Sequence, residues 1–425
     1  MKKFLIFFFV FVLISFSEEV FNLDECIKIA IENNLKLKIS QDKIDSAYYQ
    51  KEIAGKYKLP TFSTSFNYTH LGDNEGFVFN GIPMKFTEDN IFSLKFTLSQ
   101  PIFTGWKIEK TYEISKENYE KTKIDFENEL SNLIFDVEKA YYNILKIKKN
   151  LETGLKYKEN LEKHLSDAKK LFQEGIVTKL DILKTEVALK NAETRIIEIE
   201  NYLKTAKANL NFLLGKSPDH EFEIEDILEV KEEKKDYQWW KEMSLKERSE
   251  IKSMEKLISI YEKNIDIEKS NLYPQIYFFF NYNIERGSQT SVGKWDTNWN
   301  TGFLLSYDIW NWGQTKDKIR KAEIEKEEIK KQFELIKNSI EIEVKNAYLN
   351  FLLAENKIEE SKKQIELAEE NFRVANLLYN EGLATNTDVI DAITALTDAK
   401  NNYYNSLYEY KISYSQLLKA SGILK

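Results

Sequence analysis

Few residues in this chain have the types and spacing that chemistry demands. The three histidines, His70, His164 and His220, lie far apart with no cysteine near any of them, so no metal-ligand cluster and no nucleophile with its base is spelled out. No glycine-rich phosphate loop occurs either. The one suggestive constellation is acidic. In Gly382-Leu-Ala-Thr385-Asn-Thr-Asp388-Val-Ile-Asp391, Asp388 and Asp391 stand three residues apart and so share one helix face, where they concentrate negative charge without breaking any bond. The same residues have a local use: Thr385 can cap a helix with Asp388 in its first turn, against the exposed N–H groups. Capping and charge presentation are compatible, and neither needs a metal or cofactor. The expectation is a non-enzyme with no catalytic residue.

The elements that must position these acids are long. With 14 Gly and 5 Pro in 425 residues, turn-makers are far scarcer than average usage, near 7% and 5%, would give. Charged residues make up 31% of the chain and mean hydropathy is −0.49, which excludes a polytopic helical membrane protein. Lys and Arg number 61 against 69 Asp and Glu, so there is no basic footprint for nucleic acid. Lys2 and Lys3 precede the apolar run Phe4 to Ile14 and the small residues of Ser15-Phe-Ser17, the pattern of a cleaved secretory signal at 1–17. That run is too short to span a bilayer. Cys26, the only cysteine, follows Asp24-Glu25, a poor setting for lipidation. An exported, acidic protein results.

The chain is a tandem repeat. Leu171-Phe-Gln-Glu-Gly175-Ile-Val-Thr178-Lys-Leu-Asp181 matches Leu378-Tyr-Asn-Glu-Gly382-Leu-Ala-Thr385-Asn-Thr-Asp388 at an offset of 207, which also aligns Ala140-Tyr141 with Ala347-Tyr348 and Gly215 with Gly422. Upstream, Pro60 and Phe66-Asn-Tyr68 match Pro274 and Phe280-Asn-Tyr282 at 214, so repeat one carries extra residues in one loop. The expected organisation is a first repeat over 18–215, a linker over 216–240 and a second repeat over 241–425. Each repeat reads as helix, two strands, long helix, helix. Trp106–Glu174 and Gln314–Glu381 are free of proline, and helices of that length reach about 100 Å and need partners throughout. The segments Asp24–Tyr57, Thr178–Leu214, Lys241–Leu272 and Thr385–Ser421 are half as long, so two of them end to end can run antiparallel to one long helix. Val389, Ile393, Leu396, Tyr403, Leu407, Tyr410, Tyr414 and Leu417 make a heptad seam.

Period-two segments lie between the helices. Phe62, Phe66 and Tyr68, then Phe92, Leu94, Phe96 and Leu98, alternate with mostly polar residues; so do Ile276 to Ile284, and the returning strand Trp299, Thr301, Phe303, Leu305, Tyr307 and Ile309. Apolar on one face and about ten residues long, they fit transmembrane β-strands, and a half-buried soluble sheet fits the alternation equally. Trp106, Trp295, Trp299, Trp310 and Trp312 sit in or beside the strands, as interfacial aromatics do. Four strands cannot close a barrel, so the membrane reading requires two, three or four copies. The alternative is an exported coiled-coil scaffold or adhesin without a channel.

With its tandem units, the Leu-Ser-Gln-Pro101-Ile-Phe-Thr-Gly105 and Leu-Ser-Tyr-Asp-Ile-Trp-Asn-Trp-Gly313 strand ends, and the Gly-x-x-Thr-x-x-Asp turns, the mature chain resembles the outer-membrane efflux proteins typified by TolC. The resemblance implies a mainly α fold with a membrane β-barrel: a homotrimer whose four strands per chain form a 12-stranded barrel, continued by a 12-helix periplasmic tunnel. It implies a passive exit duct in the outer membrane with a large periplasmic portion, working in efflux or type I secretion with a periplasmic adaptor and an inner-membrane pump. It further implies an acidic ring at the entrance from Asp388 and Asp391, and adaptor docking at the tip turns that carry Gly175, Thr178, Asp181, Gly382 and Thr385. One family member pairs the Asp181 equivalent with an arginine near the second tip; this chain has Ala384 there.

Overall fold

A computed structural model of the chain describes residues 19–72, 76–84, 86–226 and 235–424. The signal-peptide reading of 1–17 falls outside them. The elements run β1 (Glu19–Phe21), α1 (Leu23–Asn33), α2 (Leu35–Lys56), β2 (Thr61–His70), β3 (Phe77–Phe79), β4 (Ile82–Met84), β5 (Asn90–Phe103), α3 (Lys107–Gln173) and α4 (Lys179–Leu213). After them come β6 (Phe222–Ile224), α5 (Tyr237–Glu247), α6 (Ser249–Ser270), β7 (Gln275–Arg286), β8 (Trp295–Ser306), α7 (Gln314–Asn380) and α8 (Asn386–Ala420). Helices α3 and α7 are each 67 residues, within two residues of the expected ends. No described helix is long and apolar enough to cross a membrane.

The chain divides into two compact units, neither of them a repeat. One takes residues up to 39 with 127–248 and 339–425; the other takes 40–126 and 249–338. Both long helices contribute to each.

In the first unit, the short helices expected to be continuous are broken at Asn34 and Arg248, which are related by the 214 offset and share an extended backbone near φ −60°. Both residues serve helix ends. Asn34 donates from Nδ2 to Leu213 O at the end of α4, while its Oδ1 accepts from Lys36 N and Leu37 N at the start of α2. Arg248 is buried, pairs with Glu343 through both terminal nitrogens at 3.2 and 2.9 Å, and donates to Lys419 O and Ala420 O at the end of α8. The carbonyls that a helix terminus leaves unpaired are thereby satisfied. Gly215 and Gly422 follow α4 and α8 with φ +69° and +75°, and a Cβ there would sit 2.7 Å from Asn33 O and Arg248 N respectively. Only glycine meets both demands.

The heptad seam holds in the first half of α8, where Val389, Ile393 and Leu396 are buried. In the second half Ser406, Tyr408, Lys411, Ser415, Leu417 and Ala420 are the buried residues, and Tyr403, Leu407, Tyr410 and Tyr414 are half-buried. The polar Tyr408 turns inward because its hydroxyl finds Asp226 at 3.1 Å. Sequence reasoning also missed the parallel pair β1–β6, fastened by the Tyr141 hydroxyl donating to Glu225 O at 2.6 Å.

The second unit holds a four-stranded antiparallel sheet in the order β2-β5-β7-β8. Its register stacks like with like. The rows Tyr68-Phe92-Arg286-Trp295, Phe66-Leu94-Ile284-Thr297, Thr64-Phe96-Tyr282-Trp299 and Phe62-Leu98-Phe280-Thr301 line one face. The rows Asn67-Ser93-Glu285-Asp296, Ser65-Lys95-Asn283-Asn298 and Ser63-Thr97-Asn281-Asn300 line the other. One expectation needs correcting: β8 stops at Ser306, opposite Gln275, the first residue of β7. Tyr307 and Ile309 therefore have no strand beside them among the described residues. The small hairpin β3–β4, turned by Asn80-Gly81 with φ +53° and +80°, was also missed, although Asn-Gly is a strong short-range hairpin signal.

Candidate functional site

Two regions carry the function-bearing side chains. At the sheet, the aromatic face is uncovered: Phe62 and Phe303 are each 71% exposed and Trp299 66%, so a continuous apolar surface meets the surroundings. The opposite face is an amide and hydroxyl ladder, with Thr97 donating to Asn281 at 2.9 Å, Asn281 to Asn300 at 2.9 Å and Asn283 to Asn298 at 2.8 Å. The outer edges of β2 and β8 are unpaired among the described residues. Trp295 packs on Phe92 and Trp299 stacks on Phe280. Trp106 lies edge-on to Phe103 and Tyr273, beyond the end of β5, and Trp310 and Trp312 pack on each other at 5.8 Å, beyond the end of β8.

At the other region, α3 and α7 end in the same turn. Gly175, with φ +77°, donates to Phe172 O while Ile176 N reaches back to Leu171 O; Gly382, with φ +69°, and Leu383 repeat the pattern onto Tyr379 and Leu378. This is the left-handed stop in which two crossed bonds satisfy the last carbonyls. The turns come together, since a Cβ on Gly382 would lie 3.9 Å from Ile176 Cγ2. Both next helices start with a capping box. Thr178 N donates to Asp181 Oδ2 at 2.9 Å and Thr385 N to Asp388 Oδ2 at 2.7 Å, with each threonine hydroxyl also on that oxygen. The hydroxyl first, then the backbone N–H, holds the carboxyls of Asp181 and Asp388 below the usual aspartate range. Asp388 remains exposed with Oδ1 unused, and Asp391, one turn on, is exposed with no hydrogen bond or ion pair among the described residues. Capping therefore leaves the Asp388 carboxylate exposed to the surroundings, and Asp391 takes no part in the cap.

Behind the acids lies a buried polar knot joining all four helices, which sequence reasoning missed. His164 on α3, 4% exposed, has Nε2 at 2.8 Å from Asn386 Oδ1 on α8. Thr185 Oγ1 on α4 lies 3.0 Å from the same oxygen, and Asn386 Nδ2 donates to Asp181 O at 3.2 Å. Tyr379 on α7 lays its ring 4.8 Å from the imidazole. Because Asn386 Oδ1 can only accept, Nε2 carries the proton, and His164 Nδ1 and the Tyr379 hydroxyl are buried without a partner among the described residues. Burial pushes the His164 pKa down. A signal existed: Tyr157, Leu161, His164, Ala168 and Leu171 are spaced four, three, four and three, which puts the histidine in the seam. Among the described residues no group of three or more His, Cys, Asp or Glu is placed to hold a metal ion.

Sheet, long helices and doubled tip match a known family model, outer membrane efflux protein, over residues 26–216 and 240–423. The chain belongs to this family. Its relatives include outer membrane protein TolC of Vibrio cholerae, 24% identical over 69% of this chain and 68% of that protein. Toxin and drug export protein A of Aggregatibacter actinomycetemcomitans is 21% identical over 91% and 82%. Among solved structures, the CmeC outer membrane channel of Campylobacter jejuni superposes with TM-score 0.82 at 18% identity, covering 94% of this chain and 85% of that one. CusC gives 0.82 at 17%, covering 94% and 92%. These likenesses fix the fold as that of the family's channels. Family membership sets aside the reading of a scaffold or adhesin.

Proposed function

We propose that three copies of this outer-membrane efflux protein form a passive exit duct. The observation that carries the reading is the sheet of unit two: aromatic and bare on one face, polar on the other, with two unpaired edges. Lipid satisfies the aromatic face, water the polar face, and only closure with further copies satisfies the edges, since open edges are not tolerated in a bilayer. Three copies make a 12-stranded barrel with Trp295 and Trp299 among its interfacial aromatics, and the long helices of the three make a 12-helix periplasmic tunnel. Asp388 and Asp391 form an acidic ring at its entrance, where six carboxylates select for cations. The tip turns at Gly175 and Gly382 are exposed and structurally complete without a partner, which suits them to docking an adaptor that couples the duct to an inner-membrane pump. With Ala384 in place of an arginine, Asp181 is held by Thr178 rather than by an inter-tip salt bridge.

The test is fractionation followed by planar-bilayer recording. Recovery with outer membrane, a trimeric mass in detergent and long-lived cation-preferring conductance are expected; a soluble periplasmic monomer would refute the duct. Gly175→Asn or Gly382→Asn should reduce adaptor crosslinking without lowering trimer yield, because asparagine tolerates the left-handed backbone at φ +77° and +69° and neither Cβ meets a close neighbour.

A further inference from the structure

The two repeats build the same turn in different surroundings. Between β5 and α3, Gly105-Trp106 occupy the left-handed region with φ +64° and +66°; between β8 and α7, Trp312-Gly313 do so with φ +57° and +81°. Glycine and tryptophan have changed places. The first turn is covered by the end of α6: a Cβ on Gly105 would lie 2.5 Å from Ser270 O and 3.1 Å from Tyr273 Cβ, and the Trp106 ring packs on Tyr273 at 5.2 Å. The second turn is bare, with Trp310 74% and Trp312 87% exposed and nothing within 4 Å of a Cβ on Gly313. Shifting Ser270 and Tyr273 back by the 214-residue repeat offset gives Lys56 and Leu59, at and just beyond the end of α2. Those two residues line an open cavity of about 640 Å³, together with Ile53 and Tyr57. The strands show the same gap. β5 runs on to Phe103 alongside β7, whereas β8 ends at Ser306, four residues short of Trp310, its counterpart of Phe103.

We propose that the Trp310–Trp312 step of one copy seats in the Lys56–Leu59 cavity of the next, and that β8 then continues through residue 310 against β2 of that copy. This rests on the ring assembly proposed above and assigns its seam. The occupant is a second copy because the contact reproduces between chains the one that Gly105-Trp106 already makes within a chain. A contact joining the last strand of the sheet in one copy to the first strand in the next is head-to-tail, the kind of interface that builds the ring proposed above. The exchanged residues set its spacing. Trp312 has the Cβ that Gly105 lacks, so the seam must stand roughly 1 Å wider than the 2.5 Å approach to Ser270 O, and the cavity gives the indole that room. The cavity is lined by Lys56 and Lys107, whose ammonium groups suit the face of an indole.

Transferring the Gly105–Tyr273 spacing of 3.1 Å with that widening puts Cβ of residue 312 about 4 Å from Cβ of residue 59 of the next copy, inside the disulfide range of about 3.5–4.5 Å. Trp312→Cys/Leu59→Cys, oxidised in outer-membrane fractions, should give a ladder ending in a covalent trimer, and each single variant should not; Cys26 is buried and stays in place. Hydrogen exchange on the unsubstituted protein should show the amides of 307, 309 and 310 protected like those of their counterparts 100, 102 and 103. A trimeric mass by light scattering with no ladder and freely exchanging 307–310 would overturn the seam and leave the ring standing. A monomeric mass would overturn both. Quenching of Trp310 and Trp312 fluorescence by brominated lipid, absent from the Trp310→Phe/Trp312→Phe variant, would assign these rings to the bilayer and also overturn the seam.

Discussion

The knot around His164 predicts an acid-sensitive tip. Asn386→Ala removes the acceptor of the His164 Nε2 proton at a position 2% exposed, whereas Thr185 Oγ1 and Asp181 O keep each other at 3.0 Å. One buried donor is orphaned, at a cost of about 2 kcal/mol, which raises the open fraction of the tip roughly 30-fold. Acid should act through the same site. Burial lowers the pKa of His164 in the closed tip, while an opened tip restores the ordinary value near 6.5. As pH falls, the opened state takes up protons first. Closure is therefore fully stable above about pH 6.5 and weakens as pH drops through it towards the lowered value.

The ionisable groups beside the imidazole are Asp167 on its own helix and Tyr379 on α7; Asp181 on α4 acts on Tyr379 and offers the cluster its backbone carbonyl, while α8 presents the neutral Asn386. Asp167 opposes the shift and is outweighed by burial. The capping acids Asp181 and Asp388 have lowered values, so what they contribute is kept above the ordinary aspartate range and lost only below it, outside the His164 window. Hydrogen exchange in peptides covering 160–190 and 375–395, corrected for intrinsic rates, should show weaker protection at pH 5.5 than at 7.5. His164→Phe should abolish that difference, and Asn386→Asp should shrink it by stabilising the imidazolium. Unchanged acid sensitivity in His164→Phe, or full protection in Asn386→Ala, would refute the reasoning.

Other substitutions separate roles that sit side by side. Gly422→Ala should destabilise by about 3 kcal/mol, left-handed backbone plus a forced shift of Arg248, while Gly293→Ala, with φ +76° and open space around it, should lose only about 1, read from thermal melting. Asp388→Ala should lower both tip stability, through loss of the capping-box bonds to Thr385, and cation block, whereas Asp391→Ala should change only the block; a single-channel record in which neither variant alters block would remove the acidic ring. On the sheet, Phe280→Lys should cost about 2–4 kcal/mol and Asn281→Lys very little, and the reverse order in urea titrations of the folded barrel would mean that the faces are assigned backwards.

Most helix boundaries and the two faces of the sheet were legible because they depend on local pattern: absence of proline, period two, and Gly-x-x-Thr-x-x-Asp. What escaped depended on partners remote in sequence. The breaks at Asn34 and Arg248 have no proline or glycine to announce them, because their cause is the unpaired carbonyls of α4 and α8 some 170 or more residues away. Tyr408 displaces the heptad residues of α8 because Asp226, 182 positions distant, accepts its hydroxyl. The early end of β8 has the same origin with opposite sign, since alternation continues through Ile309 while the pairing strand does not. At the tip, the capping acids could be read and the Asn386–His164 bond could not.

The internal repeat offers a control that most single chains lack, since each position has a counterpart under nearly the same backbone. Where the backbone alone sets the demand, the two repeats hold the same residue: Gly175 and Gly382 at the left-handed stop, Thr178 and Thr385 at the cap, Asp181 and Asp388 in the first turn, Gly215 and Gly422 at the close approach. Where surroundings differ, the residue differs although the backbone does not. Asn34 reaches one carbonyl while Arg248 reaches two carbonyls and Glu343; Gly105 lies under α6 while Trp312 lies bare; Val177 faces Ala384 across the offset. Equal dihedral angles with unequal side chains therefore locate the places where a repeat meets something other than its twin. Trp312 is the most informative of these, because a left-handed tryptophan carries a backbone cost that a bare surface turn does nothing to offset.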